Sequence, residues 1–319
     1  MSIDCLRLSV TDKCNLQCVY CHPLPDCRPI EHEDILGFKE MLRIVRLFAE
    51  CGIKKLRLTG GEPLLRRDIV RLIHELAAIT GIEELSVTTN GIFLELLAAE
   101  LKAAGLHRIN ISVDSIERET YERITGFDLL PKVFKGIYRA IDVGLTPVKI
   151  NCVVIKGLNN SEEQITALSG MSVTLPVSVR FIEYCPTNKN TRPATDYMPN
   201  ASVRAVIEQK YGLLLRTVIS VGNGPAEYFK MSGSAGTIGF ISGRSSNFCR
   251  SCSRLRLTSD GKVMPCLYSA RSYDLKRLIN SGQSDRQIRD YISKIIAEKA
   301  GYTKSNSLKE DFSMCKVGG

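Results

Sequence analysis

Apolar and polar residues alternate in six short runs through the first two-thirds of the chain, and between them the period lengthens to that of a helix. The runs are Cys5–Val10, Lys54–Thr59, Glu84–Thr89, Arg108–Ser112, Val148–Val154 and Val177–Glu183. In the first, Leu6, Leu8 and Val10 alternate with Arg7 and Ser9, the pattern of a half-buried strand. Helices are predicted over Ile35–Glu50, Asp68–Ile79, Phe93–Ala104, Lys132–Val143 and Ser161–Leu168, the last opening on a capping box, Ser161 with Gln164. Strand and helix alternating this regularly argue for a parallel sheet flanked by helices, as an open doubly wound sheet or a barrel.

From Thr187 to Asn200 the pattern dissolves into Pro, Asn and Thr, which reads as a loop or boundary. A helix is predicted at Ser202–Tyr211. Shorter alternating pieces follow at Leu213–Val221, Ala226–Met231, Thr237–Ile241, Arg254–Thr258 and Lys262–Leu267, and helices near Asp274–Leu278 and Arg286–Lys299. These read as a smaller antiparallel region, and Asp311–Gly319 reads as a free tail.

Composition narrows the class. With 44% hydrophobic and 7% aromatic residues the chain resembles an ordinary globular protein. It has no apolar run long enough to span a membrane and no signal-peptide pattern at Met1-Ser2-Ile3-Asp4, so a cytoplasmic location is expected. Twelve cysteines in a reducing compartment then point to metal ligands rather than disulfides. The net charge of +9 fits nucleic acid, an anionic small substrate or a solvated basic surface. No long run of like charge and no basic stretch interleaved with aromatics favours nucleic acid.

Chemistry concentrates in two cysteine groups. Cys14, Cys18 and Cys21 lie in one short loop after the first strand. Three thiolates so spaced hold three irons of a [4Fe–4S] cube and leave the fourth iron open to a ligand. The alternative is a zinc knuckle completed by His22 or Cys27. The second group is Cys249, Cys252 and Cys266, again three ligands for a cube, or a zinc site completed by Cys315. After the second strand, Gly60-Gly61-Glu62-Pro63 offers backbone amides to a carboxylate, although such a stretch by itself is also an ordinary strand-to-helix turn. Arg254 and Arg256, two apart, point to one side of a strand and can grip a polyphosphate; the bland reading is a solvated strand face. Further cations, Arg7, Lys55, Arg57, Lys149 and Arg180, recur on the barrel strands. Buried charges of one sign imply an anion between them. Barrel sites sit at the carboxyl ends of strands, so all these groups are expected to share one cavity there.

The three-cysteine loop with Tyr20 before its last cysteine, together with Gly60-Gly61-Glu62-Pro63, resembles the radical S-adenosylmethionine (SAM) superfamily. Within it, the stretches 6–14, 59–68, 88–91, 181–183 and 252–257 and the terminal Gly318-Gly319 are similar to the GTP 3′,8-cyclase family of molybdenum-cofactor biosynthesis. The resemblance covers nearly the whole chain. It implies an α/β fold, an incomplete (β/α)6 TIM-type barrel over 1–216 with a smaller α+β carboxyl-terminal domain over 217–319 carrying a second iron–sulfur cluster. It implies a lyase that converts GTP to 3′,8-cyclo-7,8-dihydro-GTP with SAM and two [4Fe–4S] clusters.

Carried over residue by residue, Cys14, Cys18 and Cys21 would hold the SAM cluster, and Cys249, Cys252 and Cys266 the second. Tyr20, Gly61, Ser112 and Cys185 would contact SAM. Arg7, Lys55, Arg57, Thr88, Lys149, Arg180, Arg254 and Arg256 would line the GTP site, and Gly318 and Gly319 would enter the active site and act in turnover. The implied partners are an external electron donor such as flavodoxin or ferredoxin and a downstream cyclic pyranopterin monophosphate synthase. A homodimer is compatible with it; no membrane or nucleic acid is expected. The chain departs from the family where Cys185 replaces a usual Met and where His22-Pro23 replaces Met-Pro. Competing readings are a radical SAM peptide maturase and a non-enzymatic iron–sulfur protein.

Overall fold

Six strands and the helices between them follow the alternation of the sequence. The structure, a computed structural model, describes residues 3–21, 30–186, 192–217, 224–246, 252–269, 271–300 and 314–318. The elements are β1 (Cys5–Ser9), α1 (Phe38–Glu50), β2 (Lys55–Thr59), α2 (Ile69–Ala77), β3 (Glu84–Thr89), α3 (Leu94–Ala103), β4 (Arg108–Ser112), α4 (Arg118–Thr125), α5 (Leu130–Asp142), β5 (Val148–Val154), α6 (Glu162–Thr174) and β6 (Val177–Glu183). The strands β1 to β6 pair in sequence order and all in parallel. Helix α4 was not expected. Its sequence is polar throughout, and Tyr121 and Ile124 are the only large apolar residues it buries.

The two faces of the sheet differ in kind. Leu6, Leu8, Leu56, Leu58, Leu85, Val87, Ile109, Ile111 and Ile150 face outward and are at most 1% exposed. Helix α1 covers part of this face with Met41, Ile44, Val45 and Phe48, all fully buried. Strands covered by helices in a barrel are normally apolar on both faces. Here the inward positions in register are Arg7 beside Arg57 and Ser9 beside Thr59, then Thr88 beside Asn110 and Asn110 beside Lys149. The interior is therefore a polar chamber, and the hydrophobic core lies between sheet and helices.

The remaining elements are α7 (Asn200–Tyr211), β7 (Leu215–Arg216), β8 (Glu227–Lys230), β9 (Thr237–Ile241), β10 (Arg254–Leu257), β11 (Lys262–Met264), β12 (Tyr273–Asp274), α8 (Leu275–Asn280), α9 (Asp285–Ala300) and α10 (Met314–Val317). The smaller antiparallel region extends the same sheet at both edges, in the order β12-β11-β10-β1-β2-β3-β4-β5-β6-β9-β8-β7. Strand β10 joins β1 and β9 joins β6, both in parallel; the outer strands are antiparallel. An open parallel sheet leaves unpaired N–H and C=O groups on its first and last strands, and β10 and β9 satisfy them. Alternation in the sequence identifies a strand but not its partner.

The outward layer carries the stability. Leu8→Ala, at a site with no solvent exposure, is expected to destabilise the protein by about 3 kcal/mol, read as a lower midpoint in urea unfolding.

Candidate active site

At the carboxyl ends of the strands the cysteine loop is folded back on α4. The amides of Gln17 and Val19 donate to the carbonyls of Thr125 and Ile124, and the Cys21 amide to the Cys18 carbonyl, each at 2.9 Å. Cys14 is exposed; Cys18 and Cys21 are half-buried. Burial, then Asp114, then the neighbouring thiols of Cys21 and Cys14 push the Cys18 thiol well up. Three thiols held this close in one loop fit a thiolate-bound iron–sulfur cube. Among the described residues no three Cys, His, Asp or Glu side chains form a group for a single metal ion. His22 and Cys27, the candidates to complete a zinc site, lie outside the described residues.

The Gly-Gly turn packs directly on this loop. The Gly61 amide donates to Thr11 O at 2.8 Å and the Glu62 amide to Lys13 O at 2.7 Å. A Cβ on Gly61 would lie 2.2 Å from Lys13 O, so the backbone approach itself demands glycine. Glu62 is 1% exposed and accepts from Leu64 N at 3.0 Å, Thr89 Oγ1 at 2.7 Å and Asn90 N at 2.7 Å. Burial raises its carboxyl to about 7 against the pull of those donors. Asn90 in turn donates to Asn15 Oδ1 at 2.7 Å, inside the cysteine loop. Tyr20 donates to Asp114 Oδ2 at 2.6 Å, and Val153 N donates to Asp114 Oδ1 at 2.8 Å. Burial raises Asp114 to about 6. Ser112 ends β4 beside Asn151, whose Oδ1 is buried without a hydrogen-bond partner.

Toward the amino ends of the same strands lies a cleft of about 470 Å³, part of it open to solvent, lined by Lys55, Arg57, Arg108, Lys149, Arg180 and Arg254, among others. Two of these cations meet carboxylates: Lys55 pairs with Asp4 at 2.7 Å, and Arg108 with Glu84. Arg180 donates to Asn110 Oδ1 at 2.8 Å. The rest of the charge repels itself. Burial, then Arg256, Arg254 and Arg57 bring Arg7 well below the usual arginine range, and its Nε is buried with no hydrogen-bond partner. Burial, then Arg254, lowers Arg256 to about 10. Burial, then Arg180, Arg108 and Arg57, brings Lys149 down to about 6. The buried Nε atoms of Arg7 and Arg180, which have no hydrogen-bond partner, and mutually repelling cations make a receptor for a polyanion, and the bland reading of Arg254 and Arg256 as a solvated face does not hold.

The second cysteine group stands at the opposite end from the first, which corrects the expectation of one cavity at the carboxyl ends. Cys252 precedes β10, and Cys266 follows β11, which runs back antiparallel to it. Both thiols act on Arg256. Burial would raise Cys252, but Arg254, ahead of Lys299, brings it down to about 7, as suits a metal thiolate. Strand β1, five residues long, separates the two ends by roughly 13 Å. Cys249 lies outside the described residues, as does the side chain of Cys315.

The tail is also placed differently from the free end that its composition predicts. Val317 is 5% exposed and packs with Met264, Leu267, Tyr268 and Met314. The carbonyl of Gly318 accepts from Arg256 Nη1. A Cβ on Gly318 would lie 2.3 Å from Thr59 Oγ1 and 3.4 Å from Ser9 Cβ, and its φ of +81° also favours glycine. Gly319 lies outside the described residues. Cys185, after β6, accepts from Tyr268 at 2.9 Å. Reading the sequence missed Arg108, Glu84 and Cys5, all lining the cleft. The signal was present: each stands at the first position of its strand, as Lys55 and Arg254 do.

Comparison with known proteins bears on the same features. The Radical SAM superfamily model matches residues 8–168, and the Molybdenum Cofactor Synthesis C model matches residues 177–305. A GTP 3′,8-cyclase of Pelotomaculum thermopropionicum is 42% identical over 298 residues, 93% of this chain and 91% of that protein. A GTP 3′,8-cyclase of Moorella thermoacetica is 40% identical over 318 residues, 99% of this chain and 98% of that one. The chain belongs to the GTP 3′,8-cyclase family. It is thereby a radical SAM protein, with SAM and an iron–sulfur cluster as its cofactors. Its α/β architecture is shared with Streptococcus suis SuiB bound to S-adenosylmethionine, at TM-score 0.63 and 17% identity over 92% of this chain and 68% of that one. It is shared also with native anSMEcpe with bound AdoMet, at TM-score 0.60 and 16% identity over 95% and 81%. No helix among the described residues is long and apolar enough to cross a membrane.

The unbalanced charge of the chamber has a measurable cost. Arg7→Met is expected to stabilise the substrate-free protein by about 1 kcal/mol, because it removes a buried, repelled charge, and to weaken nucleoside triphosphate binding at least about tenfold. Urea midpoints and equilibrium dialysis of GTP check the two effects separately.

Proposed function

We propose that the chain is a radical SAM lyase that converts GTP to 3′,8-cyclo-7,8-dihydro-GTP, the first step of molybdenum-cofactor biosynthesis. What carries the reading is the excess of buried cations set between two cysteine groups at opposite ends of the same strands. A triphosphate supplies the missing negative charge, and its length suits a site that runs along the strands rather than across one end.

In this reading Cys14, Cys18 and Cys21 hold the SAM cluster, and Tyr20, Gly61, Ser112 and Cys185 hold SAM. Cys249, Cys252 and Cys266 hold a second cluster. When bound, SAM and its cluster would supply one-electron chemistry that removes a hydrogen from C3′ of the ribose, so that C3′ can bond to C8 of guanine; one further electron and one proton taken up by the guanine ring would complete the dihydro product. The protein's part is alignment and exclusion of water. Arg7, Lys55, Arg57, Lys149, Arg180, Arg254 and Arg256 fix the phosphates, with Thr88 beside them. Gly318 closes the chamber from the side of Ser9 and Thr59, and Gly318 and Gly319 act in turnover. Residues 1–216 serve as the barrel and 217–319 as the part that carries the second cluster. A flavodoxin or ferredoxin supplies the electron, a cyclic pyranopterin monophosphate synthase takes the product, and the protein works in the cytoplasm as a monomer or homodimer.

The test is anaerobic reconstitution, reduction, and incubation with SAM with and without GTP. GTP-dependent 5′-deoxyadenosine together with a nucleotide cyclised at C8 is expected. SAM cleavage indifferent to GTP, with the nucleotide unchanged, would move the substrate to a peptide or another molecule.

The pH dependence of binding follows from Lys149. It is held to about 6 without substrate, below the ordinary lysine value, and a phosphate beside it raises it again. Between the two values binding takes up a proton, so affinity for GTP is expected to fall as pH rises above 7.5, by up to about tenfold per unit. Lys149→Arg, which stays charged, is expected to flatten that slope in equilibrium dialysis between pH 7.5 and 9.

A further inference from the structure

Sheet order sets β11 and β6 far apart, with six strands between them. Yet Tyr268, in the turn after β11, donates its hydroxyl to Cys185 Sγ, just past β6, at 2.9 Å. The contact exists because the sheet curls. Both ends of it are anchored. Tyr184, next to Cys185, is 1% exposed and its hydroxyl donates to the carbonyl of Arg192. Tyr268 packs in the cluster of Met264, Leu267, Met314 and Val317. One residue on, Gly318 lies against Thr59 and Ser9 and accepts from Arg256.

We propose that Tyr268 is a positioning residue that ties the turn carrying Cys185 to the docked tail, so that the SAM side of the chamber and the tail are set together. The inference rests on the reading above for SAM at Cys185. It also accounts for the cysteine there. A methionine is longer, and with its partner atom already at 2.9 Å it would run into the Tyr268 hydroxyl. Cys185 and Tyr268 are therefore a matched pair, in which the phenol oxygen fills the space that a longer residue 185 would take.

The experiment uses the reconstituted holoenzyme without reductant. SAM affinity is measured by equilibrium dialysis. Tail docking is measured as the rate at which trypsin removes Val317–Gly319 after Lys316, followed by intact mass. Tyr268→Phe is expected to weaken SAM binding about fivefold and to speed tail loss by a similar factor. Cys185→Met is expected to act in the same direction, by overpacking. The double variant is expected to return both readouts to within about twofold of the parent, the signature of a coupled pair. Effects that simply add, or a Tyr268→Phe variant like the parent in both readouts, would overturn the proposal. Faster tail loss with unchanged SAM affinity would overturn the coupling while leaving GTP-dependent SAM cleavage intact, so this inference and the cyclase reading fail separately.

Discussion

Positive charge held inside the sheet without enough negative charge to balance it is the constraint on which the rest of the structure depends. Burial and neighbouring arginines lower the proton affinity of Arg7, Arg57 and Arg256, and Lys149 is driven to about 6 by burial and three arginines. Such a chamber is unstable on its own account. It persists because each strand that presents a cation inward presents leucine, isoleucine or valine outward, against helices that bury them completely. The stability of the outer layer offsets the strain of the inner one, and that strain is released when a polyanion enters.

The carboxyl-end face solves a different problem, that of holding a loop of thiols in one place. The hydrogen bonds of Glu62 and Asp114 do this without touching the cysteines. Glu62 ties the Gly-Gly turn to the turn at Asn90, and Asn90 reaches Asn15. Asp114 ties Tyr20 to the backbone of β5. Both carboxyl groups are buried and raised, to about 7 and about 6, because burial beside the cysteine loop disfavours their charged forms.

The carboxyl-terminal strands complete the frame from both sides. By pairing with β1, β10 carries Arg254 and Arg256 into register with Cys5 and Arg7, and it brings Cys252 to the end of the chamber opposite Cys18. A chamber with a cysteine group at each end and cations between them is thus a product of strand pairing. Neither half of the chain forms it alone.

Much of this was legible in the sequence. Period-two alternation located β3, β4, β5 and β6 to the residue, because a strand covered on one face must alternate. The spacing of Cys14, Cys18 and Cys21 and the Gly-Gly stretch marked the superfamily's loop, because ligation and close backbone approach tolerate few residue types. Helix α4 was missed because it is held by the cysteine loop and not by an apolar stripe. Arg108 was missed because its role comes from the strands beside it. The placement of β9 and β10 on opposite edges, the docking of Gly318 on Arg256 and the contact of Tyr268 with Cys185 join residues at least 59 positions apart. Local pattern reports what a residue can form, whereas the partner at such distances is chosen by the curl of the sheet. The sequence by itself determined the strands, the two cysteine groups and the sign of the chamber's charge; only the tertiary structure decided which ends of the strands the two cysteine groups occupy and which residues Gly318 packs against.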